Sequence, residues 1–304
     1  MAGTGAGRGL SSRPPRVRLP VPYCRRRLRR CPAAGHAAGR RRGRHRTSRE
    51  RSIDDDLLAL DLDRPDADDA RLPAARTVIY TIAPRPESPP GAGEPRLERF
   101  LAALPAPPVR FVYLSTSGVY GDCGGALVAE TRPVAPQTAR ARRRVAAETQ
   151  LAGWCEAHGV ERVVLRVPGI YGPGRLGLER LEAGTPVLRE ADAGPGNRIH
   201  VDDLVRAVRA AADLAVVPAV CNVGDGDYRS ATWFALRVAE LAGLPPPPRV
   251  SRAEAARTFD RRRLSFLTES RRLDLARLHD ELGVRARFAD ATDGIRASLA
   301  ATSD

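Results

Sequence analysis

Three consecutive hydroxyls, Ser115, Thr116 and Ser117, follow the apolar run at 109–114 (Val-Arg-Phe-Val-Tyr-Leu). Ligands of parallel sheets bind outside the carboxyl ends of the strands. Hydroxyls at such an end can orient a substrate carbonyl or hydroxyl. They can equally cap their own turn, and the residues alone weigh the two readings evenly. Further along come Arg140, Arg142, Arg143 and Arg144. Guanidinium groups clamp phosphates and carboxylates or stabilise a developing oxyanion. They do not give up a proton in a protein, so none is a competent general base. Four arginines within five positions wrap round a helix, so one or two at most face a site; Arg142 and Arg143 are assigned to the solvated face. Tyr120 and Tyr171 are spare phenols nearby, with packing the favoured role for both. The chain contains no lysine.

The elements needed to position these groups are visible as patterns. Continuous apolar runs predict strands at 57–62, 76–83, 109–115 and 162–167. Helical spacing predicts helices at 96–104, at 138–158 with Gly159 as C-cap, and at 200–212. The last is expected to turn Val201, Leu204, Val205, Val208 and Ala212 to one face. Strands alternating with helices, and apolar along their whole length, indicate a parallel sheet covered on both faces, the doubly wound α/β class. Residues 53–304 form this domain. Residues 172–198 and 229–304 supply a small C-terminal substrate cap.

The formal charge is +14, but it is not spread over the fold. Residues 1–50 hold fifteen arginines and a single acid, Glu50, and the rest of the chain balances. A nucleic-acid partner is therefore not expected of the folded part. Residues 1–52 are rich in Arg, Pro, Gly and Ala without periodicity, a composition that predicts disorder. A basic tail touching nucleic acid, a transit peptide and a solvated charge run all compete for this segment. The reading we favour is a fourth one. A chain whose basic residues are all arginine implies GC-rich coding, and such DNA read out of frame yields this composition, so the first βα unit is garbled here. Gly3 to Gly9 resemble a dinucleotide fingerprint by composition only, since no strand precedes them. Cys24, Cys31, His36 and His45 lack zinc-finger spacing, so no metal is expected. Five cysteines without regular spacing point to a reducing compartment. No run reaches membrane-spanning length and no signal-peptide core is present. The expectation is a cytoplasmic protein with no membrane partner.

The motifs together resemble the NAD-dependent epimerase/dehydratase family, the extended branch of the short-chain dehydrogenase/reductases. They are Ser115 to Gly121 (Ser-Thr-Ser-Gly-Val-Tyr-Gly), Arg166 to Arg175 (Arg-Val-Pro-Gly-Ile-Tyr-Gly-Pro-Gly-Arg), Asn197 to Asp203 (Asn-Arg-Ile-His-Val-Asp-Asp) and Cys221 to Gly226 (Cys-Asn-Val-Gly-Asp-Gly). The resemblance implies a Rossmann-like fold that binds NAD or NADP and acts on a nucleotide sugar or other small hydroxylated substrate, as a homodimer. It makes Thr116 the hydroxyl that shares the substrate oxygen. The family's Tyr-x-x-x-Lys pair, counted back from Glu148, falls on Arg140 and Arg144, so the catalytic set reads Thr116, Arg140 and Arg144. Asp61, Leu62, Ala83, Ser115 and Pro168 are implied to line the cofactor, and Ser117, Tyr120, Arg175 and Arg198 the substrate. Two alternatives stand beside an enzyme with this altered pair: a catalytically silent NAD(P)-binding regulatory protein, and nucleic-acid binding through the basic segment.

Overall fold

The computed structural model describes residues 16–18, 44–48, 57–63, 72–89 and 93–303. Seven parallel strands form one sheet in the order Val220–Asn222, Glu161–Val167, Arg110–Thr116, Thr77–Tyr80, Arg16–Arg18, Arg44–Ser48 and Leu57–Ala59. The strands Thr77–Tyr80, Arg110–Thr116 and Glu161–Val167 are mainly apolar because both faces are covered. Ile79, Val112, Leu114, Val163, Leu165 and Val167 point into one core. Val78, Tyr80, Phe111, Tyr113 and Val164, the alternate positions, point into the other. That two-residue alternation is the signature of a strand buried on both sides.

The second core is closed by the helices Pro95–Ala102, through Leu97 and Phe100, and Ala139–Ala157, through Ala147 and Leu151. Thr138 caps the longer helix by accepting from the Ala141 amide, and Gly159 follows its end at φ 63°. The first core is closed by helix Val201–Asp213 and by residues 273–284. The expected face of the Val201–Asp213 helix needs correction. Leu204, Ala207, Ala211 and Ala212 are buried, whereas Val205 is 41% exposed. Alanines allow the helix to lie close to the sheet, and this rotates the larger valine outward.

Two strands fall within the basic segment expected to be disordered. Arg16–Arg18 pairs with both Thr77–Tyr80 and Arg44–Ser48, which is the central position expected to be missing. The rest of residues 1–52 lies outside the described residues, including Gly3 to Gly9, Cys24, Cys31 and His36. Cys123, Cys155 and Cys221 are free thiols.

A third, smaller core joins Tyr171, Leu176 and Leu181 to Val238, Ala239, Ala291 and Ile295. It is stitched to the sheet by two-stranded ribbons, Gly169–Tyr171 with Arg198–His200 and Leu127–Val128 with Arg272–Leu273. Among the described residues no helix is long and apolar enough to cross a membrane. Nor does any group of three His, Cys, Asp or Glu among them come together as a metal site.

Candidate active site

Strand Arg110–Thr116 runs between Thr77–Tyr80 and Glu161–Val167 and ends in the turn Ser117–Tyr120. Thr116 stands at the strand end, in extended backbone, and its Oγ1 accepts from the Gly118 amide at 3.2 Å. With both acceptor and donor capacity on one oxygen, the hydroxyl proton is still available to a ligand. Ser117 is buried.

Beneath Thr116 lies a buried polar chain. Ser115, expected against the cofactor, is 4% exposed and donates its hydroxyl proton to the Glu148 carboxylate. The other oxygen of Glu148 accepts from Arg166 Nη2 at 2.9 Å. The Arg166 guanidinium stacks over the Tyr120 ring, 4.8 Å from its centre. Tyr120 in turn donates to Asn222 Oδ1 at 2.8 Å. Asn222 Nδ2 donates to the carbonyls of Val128 and Asp274, and its amide donates to Glu130 Oε1. Burial pushes the Tyr120 phenol up, with Arg166 pulling the other way. Tyr120 is therefore not a substrate-facing phenol: it is 1% exposed, and its oxygen is committed to the asparagine.

Helix Ala139–Ala157 crosses this strand end and carries Arg140 and Arg144. Arg144 Nη1 donates to the Leu114 carbonyl and the Tyr113 hydroxyl, each at 2.9 Å, and to the Ile82 carbonyl at 3.5 Å. Arg140 Nη1, one helical turn earlier, reaches Ser265 Oγ at 3.4 Å in the helix Arg261–Thr268. Arg142 is exposed and returns to the Gln137 carbonyl. Arg143, assigned to a solvated face, instead donates to the Ser88 carbonyl and ties the helix to that turn.

The remaining predicted residues are distributed along the same edge and over the cap. Asp61 Oδ1 accepts from the Asp63 amide at 3.1 Å, and Leu62 is buried with its carbonyl taken by Arg99. Ala83 is exposed, and its carbonyl accepts from Arg96, which also grips Asp63 at 2.6 and 2.7 Å. Pro168 and Arg175 are half-buried. Arg198, expected to face substrate, is corrected. It is 6% exposed, it donates to the carbonyls of Asp227, Arg229 and Ser230, and it lies 5.0 Å from the Phe234 ring centre. A buried guanidinium needs this many acceptors, and the cap interior supplies them. Arg198 holds the cap together.

Two residues near Thr116 carried no sequence signal. Glu269 and Arg271 form an ion pair at 2.7 Å with side chains 4% and 9% exposed. They belong to a stretch without periodicity, and only the fold brings them to the Ser117–Tyr120 turn.

Comparison with known proteins agrees with this geometry. The model of the NAD dependent epimerase/dehydratase family matches residues 97–224, which contain the strand end, the long helix and the Asn222 hub. A dTDP-glucose 4,6-dehydratase of Actinoplanes sp. is 29% identical over 200 residues, covering 63% of this chain. A second, from Neisseria meningitidis, is 27% identical over 165 residues, covering 49% of this chain and 46% of that relative. The chain spans 59% of the length of the Actinoplanes relative it matches. Among solved structures, a functionally unknown conserved protein from Silicibacter pomeroyi superposes with a TM-score of 0.66 at 29% identity, covering 86% of this chain and 91% of that one. MoeE5 in complex with UDP-glucose and NAD superposes with a TM-score of 0.67 over the same shares at 23% identity, a likeness of fold. With the parallel sheet, the hydroxyl-bearing strand end and the motif order all in place, residues 97–224 of this chain belong to the NAD-dependent epimerase/dehydratase family.

Proposed function

We propose that this protein handles a nucleotide sugar in the crevice above Ser115 and Thr116, as an epimerase/dehydratase- or reductase-like protein of the NAD(P)-dependent class. The observation that carries the reading is the relation between Thr116 and Arg144. The hydroxyl stands at the crest of a central strand, and a guanidinium is fixed on the carbonyl two residues before it. Thr116 supplies a hydrogen bond to a substrate oxygen, and the fixed positive charge below favours negative charge developing there. Neither Arg144 nor Arg140 takes up a proton. Relatives of the chain include dTDP-glucose 4,6-dehydratases, which supports the substrate class.

NAD or NADP, when bound, would supply the nicotinamide that exchanges a hydride. Its pyrophosphate needs glycine N–H groups at the turn after the first strand. Arg16–Arg18 occupies that place in the sheet. The residues after it, 19–34, contain no glycine and include Pro20, Pro22 and Pro32, which have no N–H. These residues do not fit the dinucleotide. On our reading a first βα unit is encoded upstream of Asp54 in another frame. Translating the other two frames is expected to give an apolar strand followed by glycines, and finding neither overturns that reading.

A second reading, a catalytically silent NAD(P)-binding member that binds ligand without turnover, is favoured by Arg140 and Arg144, neither of which can move a proton. Thermal melting with UDP-glucose, dTDP-glucose, NAD+ and NADP+, together with chromatography of the sugar after incubation, separates the two. Epimerisation and dehydration return the hydride to the sugar, so the converted sugar is the readout. Protection by a nucleotide sugar with its conversion supports the enzyme. Protection without conversion supports the silent member. No protection by any of the four ligands overturns both.

A further inference from the structure

The segment that carries Glu269 and Arg271 is moored on the turn that follows the Ser117–Tyr120 helix. The Ser270 carbonyl accepts from the amides of Cys123 and Gly125, and the Ser270 amide donates to Asp122 Oδ1 at 2.8 Å. Arg271 Nη1 donates to the Gly121 carbonyl at 3.2 Å. This mooring lays the Glu269 carboxylate against Gly118. A β-carbon placed on Gly118 would stand 4.0 Å from Glu269 Oε2 and 3.5 Å from Thr116 Oγ1. The carboxylate therefore borders the same turn as the threonine hydroxyl.

The ion pair is incomplete in a specific way. Glu269 Oε2 takes both Nη atoms of Arg271, at 2.7 and 3.3 Å. Glu269 Oε1 and Arg271 Nε are both buried, and neither has a hydrogen-bond partner. Leaving a charged group's acceptor or donor unmet in the interior is costly, so such orphans mark places where a further group belongs. Here one orphan accepts and the other donates. A hydroxyl is the neutral group that does both. A phosphate or carboxylate would be repelled by Glu269, and an ammonium by Arg271.

We infer that Glu269, with Arg271 behind it, is a hydroxyl-reading subsite that binds a hydroxyl of the sugar whose neighbouring oxygen lies at Thr116. This rests on the nucleotide-sugar reading above. The subsite comes from the C-terminal part of the chain, and Arg140 reaches the same part through Ser265. Cap and strand end would thus close on one sugar from two sides.

Isothermal titration of the full chain with UDP and UDP-glucose, and with dTDP and dTDP-glucose, tests it. In wild type the sugar is expected to tighten binding about ten- to hundredfold over the bare nucleotide, the range of one charge-assisted hydrogen bond. Glu269→Gln is expected to bind the bare nucleotide within about threefold of wild type and to lose most of the sugar's increment. Should Glu269→Gln fail to fold, UDP-glucose analogues lacking one hydroxyl each carry the test on wild type, and one of them is expected to bind no tighter than UDP. A variant that keeps the increment overturns the subsite, as does a set of deoxy sugars that all bind like UDP-glucose. A wild type that binds UDP and UDP-glucose equally, and dTDP and dTDP-glucose equally, means that water fills the pair and overturns the subsite alone. A wild type that binds no nucleotide sugar overturns the nucleotide-sugar reading and the subsite with it.

Discussion

Arg144 Nη1 lies 2.9 Å from the carbonyl oxygen of Leu114, the residue directly before the Ser115–Thr116 pair. The same nitrogen holds the Tyr113 hydroxyl and reaches Ile82, so one guanidinium joins the ends of two adjacent strands to a helix. A lysine has three donors on a single point, whereas arginine offers a planar fork with donors to spare. Arg144 is a structural tie as well as a charge.

Arg144→Met should therefore destabilise the fold as well as alter the site. It strands the Tyr113 hydroxyl, which is almost wholly buried, and a strand-end carbonyl. The expected loss is about 1–3 kcal/mol, seen as a fall of several degrees in Tm. Arg144→Lys should recover part of it by restoring one donor. If Arg144→Met melts with wild type, the tie carries no weight.

The Glu148–Arg166 pair makes a sharper case. The two side chains are 10% and 8% exposed and meet at 2.9 Å, with Ser115 completing the carboxylate. Removing one partner leaves an uncompensated buried charge, so Glu148→Ala should cost about 3–5 kcal/mol. Arg166 Nε and Nη1 already lack partners, which adds to its dependence on Glu148. Replacing both residues with methionine should recover most of the loss, since no buried charge then remains. Chemical denaturation of the two variants checks this, and equal losses would contradict it.

The strand and the helix that frame this site are legible in the sequence, and the reason is physical. Strand Arg110–Thr116 is buried on both faces, so its sequence is apolar without interruption and its end is marked by hydroxyls. Helix Ala139–Ala157 is bounded by a threonine cap and a following glycine, and both are local signals. Strand Arg16–Arg18 gave no such signal, because arginines flank its one valine. Arg198 misled because the resemblance of its motif implied a substrate contact, while three backbone carbonyls and the Asp227 carboxylate in the cap are its partners. Glu269 was illegible for a different reason. Its meaning comes from lying beside Gly118, far away along the chain.

Stability should also carry a pH signature from the cap. Burial, above all, pushes the Asp225 carboxyl up to about 8, against the favourable pull of Arg198 and of the Asp227 amide. Its Oδ1 accepts that amide at 2.9 Å, while Oδ2 is buried without a partner. The unfolded chain releases this proton near pH 4, whereas the folded chain keeps it up to about pH 8. Raising the pH across that window therefore favours the unfolded chain, by on the order of a few kcal/mol at its upper end. Asp225→Asn keeps the Oδ1 contact and removes the titration. Its Tm should gain on wild type steadily from pH 5 to pH 8.5. A constant gap between the two would mean that the carboxyl ionises normally.

Gly121 and Gly124 offer a paired test of what the turn after Tyr120 requires. Both hold left-handed backbone, at φ 68° and 58°. A β-carbon at Gly121 would stand 2.2 Å from the Ala135 carbonyl oxygen, while at Gly124 it would meet nothing within 4 Å. Gly124→Ala should cost only the conformational strain, about 1–2 kcal/mol. Gly121→Ala adds a clash with backbone that cannot rotate away, so about 3 kcal/mol or more is expected. Because the Gly121 carbonyl also receives Arg271, the displacement should reach the Glu269 ion pair. Gly121→Ala should then weaken UDP-glucose binding more than UDP binding, whereas Gly124→Ala should leave their ratio unchanged. Equal melting temperatures for the two variants would show that the close approach to Ala135 is dispensable.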